Sequence, residues 1–255
     1  MINKKAVITG GNRGIGKSFA LRFAKEGYDL LLIARNKELL DGCLKQIADK
    51  YSVKVAFIQA DLSKYEDVIA VVSRISEDSS IEALVNNAGF AVPSFFAESD
   101  IEAQLDMVRV HNEAMMRLTR AVLPMMEKNK KGVIINVAST MAYIPFVANS
   151  VYCASKAFIN VFSEVLQREV KGYGIIVQSL NPGRTKTDFH NTEAFKNVEK
   201  IITNVKEMST EVVVDASFRK LGKKLIVIPG LDNRIMILFK NLIADIFMRK
   251  KGLKR

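Results

Sequence analysis

The chain has 255 residues, 49% of them hydrophobic, with 38 basic against 27 acidic side chains and a formal net charge of +11. That length and apolar content suit one large buried core and exclude a disordered or collagen-like chain. Two cysteines exclude a disulfide framework, and together with His111 and His190 they form no metal-ligand spacing, so no metal is expected.

In chain order, residues 5–9 read as a short buried strand. They run straight into Gly10-Gly11-Asn12-Arg13-Gly14-Ile15-Gly16 and then an apolar-periodic helix through Phe19, Ala20, Phe23 and Ala24. Glycines let backbone approach a phosphate without an intervening Cβ, and a helix N-terminus offers unpaired N–H groups and partial positive charge. The spacing is G-x-x-x-G-x-G, not the commoner G-x-G-x-x-G, and turn geometry alone is the alternative reason for such glycines. Further strand-like runs at 30–33, 53–58, 83–85, 133–137, 175–180 and 225–228 alternate with helical patterns. Such alternation predicts an α/β fold with a doubly wound, Rossmann-type parallel sheet, right-handed crossovers, and a ligand crevice at the carboxyl ends of the strands.

Tyr152 and Lys156 stand four residues apart, which on a helix puts phenol and ammonium on one face. A free phenol titrates near pKa ~10, and a cation held beside it stabilises the phenolate. Taken alone, the pair also fits a packed ring beside a solvated charge. Beyond Pro229-Gly230, Arg234 to Met248 form an apolar helical pattern interrupted by Lys240, Asn241 and Asp245, followed by Arg249-Lys250-Lys251-Gly252-Leu253-Lys254-Arg255. From Arg219 onward there are 11 basic and 2 acidic residues, net +9 of the chain's +11. An apolar stripe beside a cationic tail suits an anionic membrane surface but is too short and too interrupted to span one. Packing on its own domain or on a partner subunit is the alternative. No nucleic-acid partner is expected, because the basic residues are not interleaved with a recognised fold or stacking surface.

Seven pieces occur in one order: Thr9-Gly10-x-x-x-Gly14-x-Gly16, Asp61-Leu62, Asn86-Asn87-Ala88-Gly89, Asn112, Ser139, Tyr152-x-x-x-Lys156 and Pro182-Gly183-x-x-x-Thr187. In this the chain resembles the short-chain dehydrogenase/reductase family, over residues 5 to 187. The resemblance implies a dinucleotide-binding catalytic domain at 1–230; the amphipathic, basic helical extension at 231–255 departs from the compact members of the family. It implies transfer of hydride between a nicotinamide cofactor and a small-molecule carbonyl/alcohol couple, with Tyr152 as acid. Lys156 lowers the tyrosine pKa and holds the nicotinamide ribose, and Ser139 donates a hydrogen bond to the carbonyl oxygen. Asn112 falls where the family kinks a central helix and orders a water; a satisfied helix-interior asparagine is the alternative.

The same resemblance assigns cofactor contacts. Gly10, Asn12, Gly14, Ile15 and Gly16 form the phosphate turn. Arg35, where an acid would accept bonds from ribose hydroxyls, and Arg13 favour a 2′-phosphate and hence NADP, unless both are simply solvated. Asp61 with Leu62 meets the adenine, or Asp61 caps its own turn. Asn87, Ala88 and Gly89 line the adenosine side, and Pro182, Gly183, Thr185 and Thr187 meet the carboxamide and pyrophosphate. Phe90, Phe95, Phe96, Met141, Tyr143, Phe146 and Phe189 suit an apolar, lipid-like ketone, although core packing uses the same residues. His111 and His190 read as structural or exposed residues; substrate contact is the alternative for His190, which follows the Pro-Gly motif.

The leading expectation is an NADPH-dependent reductase of such a ketone. An NADP-binding redox-sensing module without turnover and a membrane-surface scaffold are the alternatives. A homo-oligomer is expected. No apolar signal segment precedes the first strand, which suggests a cytoplasmic protein, with peripheral contact at a membrane surface as the alternative.

Overall fold

A computed structural model describes residues 4–36, 47–187, 189 and 207–239. Seven parallel strands form one sheet: β1 (Lys5–Thr9), β2 (Asp29–Ala34), β3 (Val55–Gln59), β4 (Ile81–Asn86), β5 (Gly132–Val137), β6 (Ile175–Leu180) and β7 (Ile226–Val227). Their order is β3-β2-β1-β4-β5-β6-β7. The chain thus winds outward from β1 to one edge, returns to lay β4 beside β1, and winds outward to the other edge. The reversal between β1 and β4 opens a crevice at the carboxyl ends, where such sheets bind ligands.

The helices are α1 (Gly14–Lys25), α2 (Tyr65–Ser76), α3 (Ile101–Val108), α4 (Met115–Asn129), α5 (Ser150–Val170), α6 (Thr210–Lys220) and α7 (Leu231–Leu238). Successive strand residues point to opposite faces of the sheet, and both faces are covered. On one side Val7, Leu31, Ile33, Leu84 and Ile134 pack under α2, α4 and α5. On the other, Ala6, Ile8, Leu30, Leu32 and Val85 pack under α1 and α6. Two-sided burial is why these strands read as unbroken apolar runs and not as alternation. β3, at an edge, is the most exposed of the longer strands and begins two residues later than its apolar run.

Two local features depart from regular helix and bear on the site. Between α3 and α4, residues Arg109–Ala114 form a π-helical segment holding His111 and Asn112; the family resemblance implies a kink at Asn112, and the structure has a widened turn there. At the far end, α7 starts at Leu231, three residues before the predicted apolar pattern. Its Asn233 is buried, with Nδ2 donating to Pro229 O at 2.8 Å. A Cβ added to Gly183 would meet Asn233 Oδ1 at 2.3 Å, so the first turn of α7 packs directly on the Pro182-Gly183 turn. The remainder of the predicted C-terminal helix, with its basic cluster, lies outside the described residues, as does His190.

Candidate active site

The glycine turn that follows β1 leads into α1 with no side chain capping the helix N-terminus. Gly14 has φ +53, and a Cβ there would sit 3.2 Å from Thr187 Cγ2, so the turn faces the segment after β6. A Cβ on Gly16 would lie 2.1 Å from Gly10 O, which explains a glycine at that position by close packing. An uncapped twelve-residue helix, entered through glycines and facing threonines, fits the phosphates of a dinucleotide.

Asn87 braces this turn. Its Nδ2 donates to Thr9 O at 2.9 Å and Gly10 O at 3.3 Å, while the Asn87 and Ala88 N–H groups both donate to Thr9 Oγ1 at 2.9 Å. The asparagine expected to touch the cofactor therefore also fixes the shape of the turn. Arg13 and Arg35 are exposed at the crevice rim. Asp61 Oδ1 accepts from Ser63 N–H at 3.0 Å and from its hydroxyl at 2.8 Å, which is the turn cap. Burial pulls the Asp61 carboxyl upward, but the Ser63 bonds and the Arg35 and Lys64 charges outweigh it and hold the group below the usual range. Leu62 is buried beside it.

On the other side of the crevice, Pro182 O accepts from Thr140 N–H at 3.0 Å, tying the Pro182-Gly183 turn to the Ser139 segment. Thr185, buried, donates to Gly183 O at 2.9 Å, and Thr187 donates to Thr185 O at 3.4 Å. Thr185 also bridges Met208 in parallel.

The structure brings together the four residues expected to act. Tyr152 and Lys156 lie on the first two turns of α5, Ser139 ends the loop after β5, and Asn112 lies in the π-helical segment. Asn112 Nδ2 donates to Ser155 O at 3.0 Å, binding that segment to α5. The Ser139 hydroxyl draws the Tyr152 pKa downward, and its Oγ accepts from Met141 N–H at 3.2 Å. Lys156, 5% exposed, points its Nζ at Val137 O, 3.1 Å away and 5.6 Å from the Tyr152 ring centre.

The electrostatics differ from the simple picture of a lysine lowering a tyrosine pKa. Burial pushes Tyr152 up to about 12, against the Ser139 bond, even though the ring keeps some opening to the crevice. Burial likewise pulls Lys156 down to about 7. Each shift disfavours the charged form, so the resting pair is a neutral phenol beside an amine poised near neutrality.

Sequence reasoning missed the polar layer beneath this pair. Asn86 Nδ2 donates to Asn136 Oδ1 at 2.8 Å and Thr119 Oγ1 at 3.1 Å, and Asn136 Nδ2 donates to Ser163 Oγ at 2.9 Å, all buried. The signal was a lone asparagine inside the apolar run of β5. It missed Ser155 as well; of the two readings open for His111, structural or exposed, the structure has the first, with the ring buried against Tyr152. Of the expected apolar residues, Phe189 packs on the Tyr152 ring at 6.1 Å, whereas Phe95 and Phe96 stand exposed on the rim. Ser94 N–H donates to Ala148 O at 2.9 Å and joins the two rim loops. Among the described residues no group of three or more His, Cys, Asp or Glu could hold a metal, and no helix is long and apolar enough to cross a membrane.

A family model for short chain dehydrogenases matches residues 4–197. A very-long-chain 3-oxoacyl-CoA reductase of Anas platyrhynchos is 39% identical over 181 residues, 69% of this chain and 58% of that protein. A 17-beta-hydroxysteroid dehydrogenase type 3 of Danio rerio is 39% identical over 186 residues, 71% of this chain and 60% of the relative. The chain thus spans about three fifths of the length of these curated relatives. Among solved structures, a short-chain dehydrogenase from Sphingobium yanoikuyae in complex with NADPH superposes with a TM-score of 0.83 at 30% identity, covering 99% of this chain and 96% of that one. A bulky-bulky ketone specific alcohol dehydrogenase from Comamonas testosteroni gives 0.80 at 30%, covering 96% and 95%. With the family model spanning most of the chain, and the crevice, glycine turn and Tyr152–Lys156 helix in place, this protein belongs to the short-chain dehydrogenase family.

Proposed function

We propose that this protein is an NADPH-dependent oxidoreductase that reduces an apolar, lipid-like ketone to a secondary alcohol. The observation that carries the reading is the placement of Tyr152 and Lys156 on successive turns of one helix, the Lys156 Nζ 5.6 Å from the Tyr152 ring centre, with Asn112 bonded to the same helix at Ser155 O. A nicotinamide bound in the crevice supplies hydride, and the chain must supply the proton. Tyr152 holds that proton at its hydroxyl across the neutral range. As it leaves for a carbonyl oxygen, negative charge appears on the phenol near the Ser139 hydroxyl and the Lys156 side chain, and that charge favours the protonated form of Lys156. Asn112 holds α5 in register through Ser155 O. Gly10 to Gly16 would hold the pyrophosphate, with Arg13 and Arg35 on the 2′-phosphate.

Relatives whose names specify 3-oxoacyl-CoA and hydroxysteroid chemistry support an apolar substrate, as do Phe189 on the Tyr152 ring and the exposed Phe95 and Phe96. NADPH consumption with a panel of ketones, from short oxoacyl esters to steroids and long-chain oxo-lipids, tests the reading. Reduction of the apolar members, lost in Tyr152→Phe, is expected. Tight NADPH binding with no ketone reduced would instead favour the redox-sensing role.

The exposed row Phe158, Val161 and Val165 on α5, beside Ile101 and Leu105 of α3, supports assembly with a second copy. Light scattering of Val161→Asp is expected to show a lighter species than wild type; equal masses would remove that face from assembly.

A further inference from the structure

His111 lies in the π-helical segment directly before Asn112 and is 2% exposed, and the proton transfer described above does not use it. Both of its ring nitrogens have partners. The Phe90 backbone N–H approaches Nε2 at 3.2 Å, and a backbone N–H can only donate, so Nε2 carries no proton. The ring proton therefore sits on Nδ1, 3.0 Å from Ser155 Oγ. The Ser155 hydroxyl in turn donates to the Tyr152 carbonyl at 2.8 Å. Donors run in one direction, from Phe90 through His111 and Ser155 to the backbone of Tyr152.

The ring also sets the tyrosine side chain. His111 and Tyr152 meet edge-on, with centroids 5.7 Å apart and planes at 72°. Phe90 packs on His111 at 6.2 Å, and Phe189 on Tyr152 at 6.1 Å, so four rings cross the site in a row. A Cβ on Gly89 would stand 2.6 Å from His111 Nε2 and 3.6 Å from Lys156 Nζ. The Gly89–Phe90 turn, the imidazole and the catalytic helix are thus locked to one another. Burial, reinforced by the neighbouring Lys156 charge, holds the imidazole pKa well below its ordinary value. A second ring proton would also point N–H against N–H at Phe90.

We propose that His111 is a positioning residue for ketone reduction: it orients the Tyr152 backbone and ring against the Gly89–Phe90 turn. The inference rests on the reading of Tyr152 as the proton donor. A leucine at 111 fills similar space but leaves the Phe90 N–H and the Ser155 hydroxyl without their partner, whereas glutamine keeps one acceptor and one donor on a flexible arm.

The test compares His111→Leu, His111→Gln and Ser155→Ala in NADPH-linked reduction of a ketone that the wild type turns over. Misplacing a reacting group by about an ångström costs up to ~100-fold. In His111→Leu, kcat is therefore expected to fall at least about tenfold with the ketone KM changed less than about threefold, and His111→Gln is expected to recover a substantial part. Adding Ser155→Ala to His111→Leu should cost little more than either alone, because both interrupt one path. A His111→Leu enzyme with a lowered melting temperature but kcat within about twofold of wild type overturns the inference. So does a glutamine variant as impaired as the leucine one. If the leucine variant fails to fold, Ser155→Ala decides: wild-type kcat there also overturns it. A Tyr152→Phe enzyme that retains turnover sinks the reading of Tyr152 itself; an inactive Tyr152→Phe beside a fully active His111→Leu sinks only the role of His111.

Discussion

The two sides of the crevice handle charge in opposite ways. Around the glycine turn, charge is exposed and backbone is left available: Arg13 and Arg35 stand in solvent, and α1 begins without a side-chain cap. Around Tyr152, ionisable groups are buried and pushed toward neutrality, and backbone and side chains are bonded to one another. The lesson is that holding a polyanion and moving a proton ask for different surroundings. A phosphate is captured by donors that have no partner yet, whereas a proton donor must be held still and kept uncharged until the transfer.

The largest expected effect breaks the buried side. Tyr152→Phe keeps the ring packed against His111 and Phe189 but removes the transferable proton. Positioned acid catalysis contributes ~10² to 10⁴-fold, so kcat should fall by that range while NADPH binding, read by fluorescence titration, stays within about twofold. Residual turnover above about a tenth of wild type would show that another group delivers the proton.

A matching substitution on the exposed side should change affinity and not chemistry. Arg35→Asp places a carboxylate where a guanidinium now stands after β2. A charge-assisted phosphate contact is worth about 1.5 to 3 kcal/mol, so wild type should bind NADPH at least about tenfold more tightly than NADH, and the variant should reverse the order. Equal affinities in the wild type would remove both Arg35 and Arg13 from cofactor selection.

What could be read in the sequence divides along the same line. The parallel sheet and the glycine turn were legible because both are local: two-sided burial writes unbroken apolar runs, and a phosphate turn writes its glycines in succession. The candidate catalytic set is legible as spacing, through Tyr152, Lys156 and Ser139. Its electrostatics are not, because the shifts come from residues remote in sequence closing over the pair. His111 shows the same limit: its partners Phe90 and Ser155 lie 21 and 44 residues away, and only the fold brings them to one ring. Asn233 shows it at the C-terminal end, where an apparent appendage packs on Gly183.

Lys156→Met sharpens the comparison by separating the cost of burying a charge from its use. The folded pKa of about 7 lies below the model-peptide value of 10.5. Below about pH 7 the lysine is protonated in both folded and unfolded chains, and the full cost of burying the ammonium is borne. Between about 7 and 10.5 the folded state binds fewer protons than the unfolded one, so this contribution to stability rises with pH. The cofactor-free Lys156→Met protein is therefore expected to melt higher than wild type at pH 6, by a few °C, with a smaller gain at pH 9. A gain independent of pH would mean that the ammonium is solvated in the folded state. Turnover should be lost in either case.

The smallest expected effect concerns a surface that belongs to neither side. On α7, Leu231 (68% exposed), Ile235 (47%) and Leu238 (78%) lie at helical spacing on the outer face, with Phe239 beyond them, while Asn233 faces inward onto the Pro182-Gly183 turn. If the sequence from Arg219 onward, with its net +9, meets an anionic membrane surface, these apolar side chains would enter it. Deleting residues 231–255 would confound the question, because it also removes Asn233 from Gly183. Substituting Leu231 and Leu238 by glutamine leaves that inner contact in place. Even about 0.7 kcal/mol per partly buried leucine is a factor of roughly three, so vesicles containing phosphatidylserine should bind the double variant several-fold more weakly than wild type. Raising salt should weaken wild-type binding as well, since exposed charges are screened beyond ~8 Å at physiological ionic strength. Ketone turnover in solution is expected to match wild type. If the intact protein ignores anionic vesicles, and the double variant instead changes its oligomeric mass, the face is a subunit contact and the membrane role fails.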